Sequence, residues 1–444
     1  IDDISELYHD SIRAGHITPK PDILKKIKFI KSTHNSLIVS TDQPKGTLVK
    51  VLFEPNAKLS DSVTYDITAW SLPYAYGLDA LATESAITKT SPPHNGKELG
   101  LIQSNSYAYV TDWNTINDAK FLSELLNNKV RVRYSNKPFT LDGHNHKRGS
   151  LIITKSDNKN LKDFNQILND ASIKFSKRLT ATNTGFVESG KDFGSRYVEM
   201  IPDVKVAVLS GNPTSTLRFG EIWHFFETEL QYPVTIIDSD YFSRTDFSNF
   251  DVIILPNGYY GSVLTKTTLE KIKKWTRSGG TLIAIANALN SFADKKGFAL
   301  TKKKKDEKEE DKKANLIPYA EQERKSVQNF ITGAIFKSKI DNTHPLGFGY
   351  SNEYFSLKLG GTSYNYLKNG VNVAYFDENS KNISGYAGSK VVKNIPESLL
   401  FGEEQKGRGS IIYMVDNPLF RSFWDNGKLF LANAVFLLNS DKLK

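Results

Sequence analysis

The apolar positions change period several times along the chain. Thr47–Phe53 (TLVKVLF) and Val63–Ala69 (VTYDITA) alternate and are rich in β-branched residues, which predicts strands. Ser36–Ser40 reads as a further short strand. Ser71–Gly77 (SLPYAYG) breaks the alternation, and Ser91–Gly96 (SPPHNG) predicts a loop. From Ser106 the rhythm shifts. Tyr107–Val110, Val130–Tyr134 and Gly149–Thr154 predict strands, with helices over Asn117–Leu126 and Leu161–Phe175. In the first helix Ala119, Leu122, Leu125 and Leu126 share a face, and Asn117 is the expected N-cap. The polar, glycine-rich stretch Asn183–Ser195 predicts a connection.

A third unit follows with continuous apolar runs, the mark of strands buried on both faces. Val204–Leu209, Val234–Asp238, Asp251–Leu255 and Thr281–Ala286 predict parallel strands, and Leu217–Leu230 and Thr267–Arg277 predict helices between them. Gly279-Gly280 stops the second helix. Phe219, Ile222, Trp223, Phe226 and Leu230 are expected on the buried face of the first. A helix is expected from Tyr319 to Ile331, strands at Val371–Phe376 and Ser410–Val415, and a closing apolar helix at Lys428–Leu438. The late elements should complete the sheet and cover it.

These patterns divide the chain into a mixed, β-containing segment over 1–100, a small α/β layer over 101–200, and a doubly wound α/β domain of flavodoxin-like type over 201–444. Lys302–Lys313 (KKKKDEKEEDKK) interrupts the last as a solvated, charged insertion. Its seven lysines and five acids nearly cancel.

A length of 444 residues suits two or three domains, and 39% hydrophobic content is ordinary for a globular chain. The net charge of +9 comes without a basic stripe carrying interleaved aromatics, so no nucleic-acid partner is expected. The absence of cysteine removes disulfides, thiolate metal sites and cysteine nucleophiles. No run approaches the ~20 apolar residues of a membrane helix. The chain starts at Ile1 with neither an initiator methionine nor a signal peptide, as expected of a piece of something longer.

Several clusters invite chemistry. His224-Phe-Phe-Glu227 has the His-x-x-Glu form of two zinc ligands, with His344 far downstream as a third. The amphipathic helix around it instead puts His224 and Glu227 on a polar flank, so the pair is read as mimicking a metal site. Asp142-Gly-His144-Asn-His146 could align two imidazoles but reads as a hairpin loop. Ser210-Gly211-Asn212 lies between the first parallel strand and its helix, where backbone amides suit an anion. Asn257-Gly258, Asn287 and Asn290 also follow strand ends, the edge at which open α/β sheets collect ligands. Ser291 lacks the Gly-x-Ser-x-Gly elbow of a hydrolase. His344 is followed two residues on by Leu346, not by the carboxylate that would orient a catalytic histidine.

The third unit resembles the class I glutamine amidotransferase arrangement. That resemblance implies a nucleophilic cysteine just after the strand Thr281–Ala286, where this chain has Asn287 and Ala288. A catalytic scaffold without its nucleophile implies no enzyme activity for this chain and no cofactor within it. Longer landmarks resemble the region downstream of the peptidase domain in large bacterial zinc carboxypeptidases. They are Asp61–Gly77 (DSVTYDITAWSLPYAYG), Gly220–His224 (GEIWH), Gly333–Phe336 (GAIF) and Asn342–Tyr350 (NTHPLGFGY). This resemblance implies an accessory region of a secreted metallocarboxypeptidase. Zinc would sit in a peptidase domain absent from this chain, and that domain would be the chief partner. The alternative is an amidotransferase-like module that binds a peptide or protein, a small molecule such as an anion, or a glycan at these strand ends, and a periplasmic or extracellular location is implied. A cryptic hydrolase using Ser291 or His344 is the least favoured reading.

Overall fold

The computed structural model describes residues 39–55, 71–83, 106–304 and 318–439. The strand expected at Val63–Ala69, the loop at Ser91–Gly96, most of Ser36–Ser40 and the charged run beyond Lys304 lie outside the described residues.

The segment Thr47–Phe53 is not a strand. Gly46–Phe53 forms helix α1. Its sequence satisfies both periods, because Val49, Leu52 and Phe53 also fall at i, i+3 and i+4. Those three are the half-buried face, while Leu48 and Val51 are exposed. Ser71–Gly77 holds a short helix, α2 (Leu72–Tyr76), stopped by Gly77 at φ +65°.

The second unit is an antiparallel five-stranded sheet. Its strands are β1 (Ala108–Thr111), β2 (Arg133–Ser135), β5 (Leu151–Thr154), β6 (Thr180–Thr182) and β7 (Val198–Met200), in the order β6-β1-β5-β2-β7. A hairpin of β3 (Phe139–Leu141) and β4 (His144–His146) projects from it. Helices α3 (Ile116–Asn127) and α4 (Phe164–Lys174) pack beside it. The N-cap of α3 is Thr115, not Asn117. Asp118 Oδ2 accepts from the backbone N–H of Thr115 at 2.8 Å and of Asn114 at 2.7 Å, so a reciprocal capping box fixes the start two residues earlier.

Among the described residues the third unit is built on a ten-stranded mixed sheet. Five strands run parallel, in the order β9 (Val234–Asp238), β8 (Val206–Ser210), β10 (Val252–Leu255), β11 (Thr281–Ile285) and β17 (Gly409–Met414). An antiparallel wing extends this core through β16 (Ser398–Lys406), β14 (Val371–Phe376), β12 (Ile331–Ile340) and β13 (Glu353–Lys358), with β15 (Asn382–Ala387) also pairing β12. Four wing strands depart from the sequence reading. The helix expected from Tyr319 to Ile331 ends at Ser326 (α8, Tyr319–Ser326), and Ile331 opens β12. Strands β13, β15 and β16 occupy stretches where no element was expected.

Alternate residues of the parallel strands face different cores. Val206, Val208, Ile254, Ile283 and Ile412 pack with α5 (Thr216–His224) and the C-terminal helix α9 (Asp425–Phe436). Ala207, Leu209, Ile253, Leu282 and Ile411 pack with α7 (Lys266–Arg277), through Ile272 and Trp275. Between β9 and β10 lies α6 (Ser239–Phe242). The helix expected at Leu217–Leu230 changes pitch at Phe225 into a π-helical turn over Phe225–Leu230. Ile222, Phe226 and Leu230 are buried as expected, but Trp223 is 44% exposed. Trp223 directly follows the buried Ile222, and at ~100° per residue that step carries its side chain off the core-facing stripe.

The first core also contains Tyr109, Trp113, Leu122, Leu125 and Ile153 of the small unit, so one apolar cluster joins both sheets. Asn433 lies in the middle of α9 with no exposure and pins that junction. Its Oδ1 accepts from Trp113 Nε1 at 2.7 Å, and its Nδ2 donates to the carbonyls of Leu346 and Phe348, each at 2.9 Å.

Candidate functional site

The parallel register sets the carboxyl ends of β8, β10, β11 and β17 along one edge, and the chain turns sharply there. Immediately after β11, Ala286 adopts φ +53°. A non-glycine residue in the left-handed region is strained. A nucleophile elbow uses this same strand-to-helix turn. The turn residue is therefore Ala286, one position before the Asn287-Ala288 pair expected to mark it, and its side chain is a methyl group.

A cleft of about 210 Å³ opens beside this turn. Asn257, Ala286 and Asn287 line one side, with Asp416 and Asn417 after β17, Arg218 from α5, and the Leu357–Tyr364 connection closing it. Asn257 Oδ1 accepts from the Asn287 N–H at 3.2 Å, and the Asn257 carbonyl accepts from the Ser215 N–H at 3.0 Å. These bonds tie the ends of β10 and β11 to the start of α5.

The charged groups of the cleft are held from behind by buried partners. Asp416 accepts from Lys358 Nζ at 2.9 Å and from Ser356 Oγ at 2.7 Å, and the Lys358 side chain is 2% exposed. Arg218 donates to Glu221 Oε1 at 2.6 Å and lies over the Phe420 ring. Glu221 is itself buried and also accepts from Asn417 Nδ2 at 2.6 Å and from the Arg421 N–H at 2.7 Å. Two interlocked charge pairs therefore fix the walls, and neither leaves a formal charge unopposed. The Tyr364 hydroxyl is buried without a hydrogen-bond partner among the described residues, and burial raises it above the usual phenol range.

A larger groove of about 1100 Å³ runs along α7. Tyr259, Asn290 and Ser291 border it near the strand ends, and Lys266, Lys295 and Lys296 line its rim. It is more voluminous but less built. Its one acid, Glu270, is taken by Lys273 at 2.9 Å, and that hydrogen bond holds the carboxyl below its ordinary value. The smaller cleft, with polar groups fixed by buried partners, is the better candidate for specific binding.

The structure sorts the sequence candidates. Asn257 and Asn287 meet in the cleft. Gly258 adjoins it, bridging Thr214, with no room for a side chain because a Cβ would lie 2.9 Å from the Pro213 carbonyl. Asn290 donates to the Asn287 carbonyl at 3.1 Å but faces the larger groove. Ser210, Gly211 and Asn212 occupy the same sheet edge but turn toward α6. Ser210 donates to the Ile237 carbonyl, Gly211 abuts Asp238 at φ +76°, and the Asn212 carbonyl accepts from Ser239. They line neither cavity.

His344 does not belong with these residues. Its Nδ1 accepts from the Leu346 N–H, so Nε2 carries the proton and donates to Glu403 at 2.8 Å. Ser410 donates to the other oxygen of Glu403. Burial raises the Glu403 carboxyl, but the His344 and Ser410 contacts outweigh it and hold the group below its ordinary value. Ser410 pairs with Thr281, at the start of the parallel strands. The cluster is therefore at the edge opposite the cleft. Serine and histidine each address the carboxylate and not one another, the wrong order for activating a hydroxyl.

His224 pairs with Glu229, at 3.5 Å, and not with Glu227. The π-helical turn brings Glu229 to Lys428 of α9 at 3.0 Å. In the β3–β4 hairpin His146 is buried, stacked on Phe139 and 3.7 Å from Asp112, while His144 is exposed. Among the described residues no three histidine, aspartate or glutamate side chains gather as a metal site. No helix among them is long and apolar enough to cross a membrane.

Sequence reasoning missed Arg218, Lys358, Asp416 and Asn417. Asp416-Asn417 follow a parallel strand and could have been found by the strand-end rule that found Asn257. Arg218 carries no such signal, because an arginine in the first turns of an amphipathic helix reads as solvent-facing.

No protein-family model and no curated protein matches the sequence. Solved structures overlap the fold at low identity. A ThuA-like protein from Bacteroides uniformis is 12% identical with a TM-score of 0.35, over 55% of this chain and 96% of that one. A second ThuA-like protein, from Parabacteroides merdae, is 13% identical with a TM-score of 0.34, over 52% and 90%. A glutamine amidotransferase from Thermotoga maritima is 7% identical with a TM-score of 0.28, over 49% and 76%. The α/β fold is read from the chain's own mixed sheet and helices, and its chemistry has to be argued from its own residues.

Proposed function

We propose that this chain is a non-catalytic binding module of amidotransferase-like, doubly wound type, which holds a small polar ligand in the strand-end cleft. The observation that carries this reading is the pairing of a blank elbow with a built cleft. Ala286 occupies the strained turn where a nucleophile would stand, while Arg218, Asn257, Asn287 and Asp416 beside it are positioned by hydrogen bonds, those to Asp416 buried. Strain and a buried polar network are both costly to keep, and the turn at Ala286 stands beside the buried Lys358–Asp416 pair.

A thermal-shift screen against sugars, amino acids, nucleosides and organic acids tests it. A ligand at 100 times its Kd adds about 2.7 kcal/mol to the stability of the wild-type chain. The same ligand should leave Asn257→Leu unshifted. A broad panel with no responding ligand, or a response indifferent to Asn257, would sink the reading.

The sequence landmarks support a second, compatible reading of context: an accessory region of a secreted zinc carboxypeptidase, with zinc and catalysis in another domain. Two of the landmark segments touch α9. Tyr350 Oη donates to the Asn426 carbonyl at 2.8 Å and accepts from the Phe430 N–H at 3.1 Å, and Gly77 abuts Asn426. This context rests on sequence resemblance alone. Elemental analysis after dialysis against trace zinc tests it: near-zero zinc fits, and one zinc per chain would contradict it.

A further inference from the structure

We propose that the larger groove beside α7 docks an extended, acidic peptide segment of a partner protein. The inference goes beyond the cleft reading and does not depend on it.

The charge of the groove is one-sided. Lys266, Lys273, Arg277, Lys295 and Lys296 line it, and Glu270 is the one acid among the lining residues. Lys273 takes that acid at 2.9 Å, so the other four cations have no carboxylate of the lining to pair with, and all four are exposed. Asp294 precedes Lys295 in sequence but lines a separate cavity and accepts from the Lys302 N–H at 3.3 Å. A recess lined by one sign of charge concentrates the opposite sign.

The groove is also linear. Lys266, Leu269, Glu270, Lys273 and Arg277 stand at i, i+3, i+4, i+7 and i+11 and share one face of α7. Eleven steps of helical rise span about 16 Å. An extended chain covers that length with about five residues, at about 3.3 Å each. The turn over 295–298 forms the facing wall. Gly297 adopts φ +90° there, and Lys273 Nζ lies 3.0 Å from where its Cβ would stand, so the turn closes on the lysine. Lys273 Nζ also donates to the Lys296 carbonyl at 2.8 Å and lies 5.0 Å from the centre of the Phe298 ring. Its bonds to Glu270 and Lys296 use two of three N–H donors on a side chain only 11% exposed, which leaves one fixed donor between the walls.

Apolar lining separates a peptide from a simpler polyanion. Leu264, Leu269 and Phe298 belong to the groove, and Tyr259 borders it near the strand ends, 70% exposed with its hydroxyl held by Asn287 Nδ2 at 3.1 Å. A segment with both acidic and apolar side chains uses both kinds of lining. One exposed aromatic gives no run of stacking platforms, so single-stranded nucleic acid is the poorer match.

Fluorescence polarisation of the full chain with a labelled Glu-Leu-Glu-Leu-Glu peptide tests this. Its Gln-Leu-Gln-Leu-Gln analogue and an oligothymidylate of about ten nucleotides are the comparison probes. The acidic peptide should bind, the neutral analogue should not, and added salt should weaken binding. Lys295→Glu with Lys296→Glu should weaken it at least about tenfold. Lys159→Glu with Lys162→Glu makes the same change in net charge on the small unit and should alter it less than about twofold. If the first double variant fails to fold, Lys266→Glu in the first turn of α7 carries the same test. Absence of acidic-peptide binding up to about 1 mM overturns the proposal. So does an equal loss in the two double variants, which makes the binding a matter of net charge alone. Tighter binding of the oligothymidylate through Lys295 and Lys296 overturns it in favour of nucleic acid. None of these results touches the cleft reading, which the thermal-shift panel decides.

Discussion

Replacing Asn433 with leucine tests how the two sheets are held together. Leucine resembles asparagine in branching but has no polar atoms, so the packing of α9 survives while three hydrogen bonds vanish. The Trp113 indole N–H and the carbonyls of Leu346 and Phe348 are each left without the bond they make in the native fold. The site has no exposure for water to replace them. A buried group stripped of its partner costs ~1–3 kcal/mol. Three such groups, offset by about 1 kcal/mol for the extra apolar burial, predict a loss of roughly 2–8 kcal/mol. Urea unfolding followed by tryptophan fluorescence and far-ultraviolet dichroism measures it. Because one core cluster spans both units, the two signals should shift together. Trp113→Phe alone should cost about 1–3 kcal/mol. The double variant should cost at least about 1 kcal/mol less than the sum of the singles, since both remove the same bond. A loss for Asn433→Leu below about 1 kcal/mol, or strict additivity in the cycle, would refute the reasoning.

Three further outcomes follow from the same structure. Ala286→Val should destabilise by about 1–3 kcal/mol in thermal unfolding, because a β-branched side chain is poorly tolerated at φ +53°, whereas Ala286→Gly should be neutral or stabilising. Lys358→Met should cost about 3–5 kcal/mol by leaving Asp416 buried beside Ser356 alone, read as a lowered urea midpoint. The hydrogen bond from Arg133 holds Asp157 below the usual carboxylate range, against the opposing effect of burial. That stability is present above the unfolded aspartate pKa of about 3.9 and is lost as pH falls through the lower folded value. Arg133→Gln should therefore be destabilised at neutral pH, with the gap to wild type closing in acid below that range.

The parallel core was legible because its strands are buried on both faces and read as unbroken apolar runs bounded by turn residues. Val234–Asp238 is matched residue for residue, and the others within two. The antiparallel wing was not. Strand β16 (SLLFGEEQK) begins as an apolar run and ends in charges, because its first half is covered and its last residues reach solvent. It therefore has neither a clean alternation nor a clean run. Strand β12 buries Ala334, Ile335 and Phe336 in succession and so hides its period of two. In α1 a seven-residue segment fits helix and strand equally, and local pattern could not decide. The site was half legible for a related reason. Asn257 and Asn287 sit where chain topology alone puts ligand groups. Arg218, Lys358 and Asp416 matter through partners far away in sequence, and His344, an attractive residue type, was carried by β12 and β16 to the opposite edge.

A crystal structure of the chain soaked with the strongest compound from the thermal-shift panel tests the central claim most directly. The account predicts the ligand between Asn257, Asn287 and Arg218, over Ala286 and with its bonds intact. A ligand seated elsewhere, against His344 and Glu403 or deep in the groove beside α7, would contradict it.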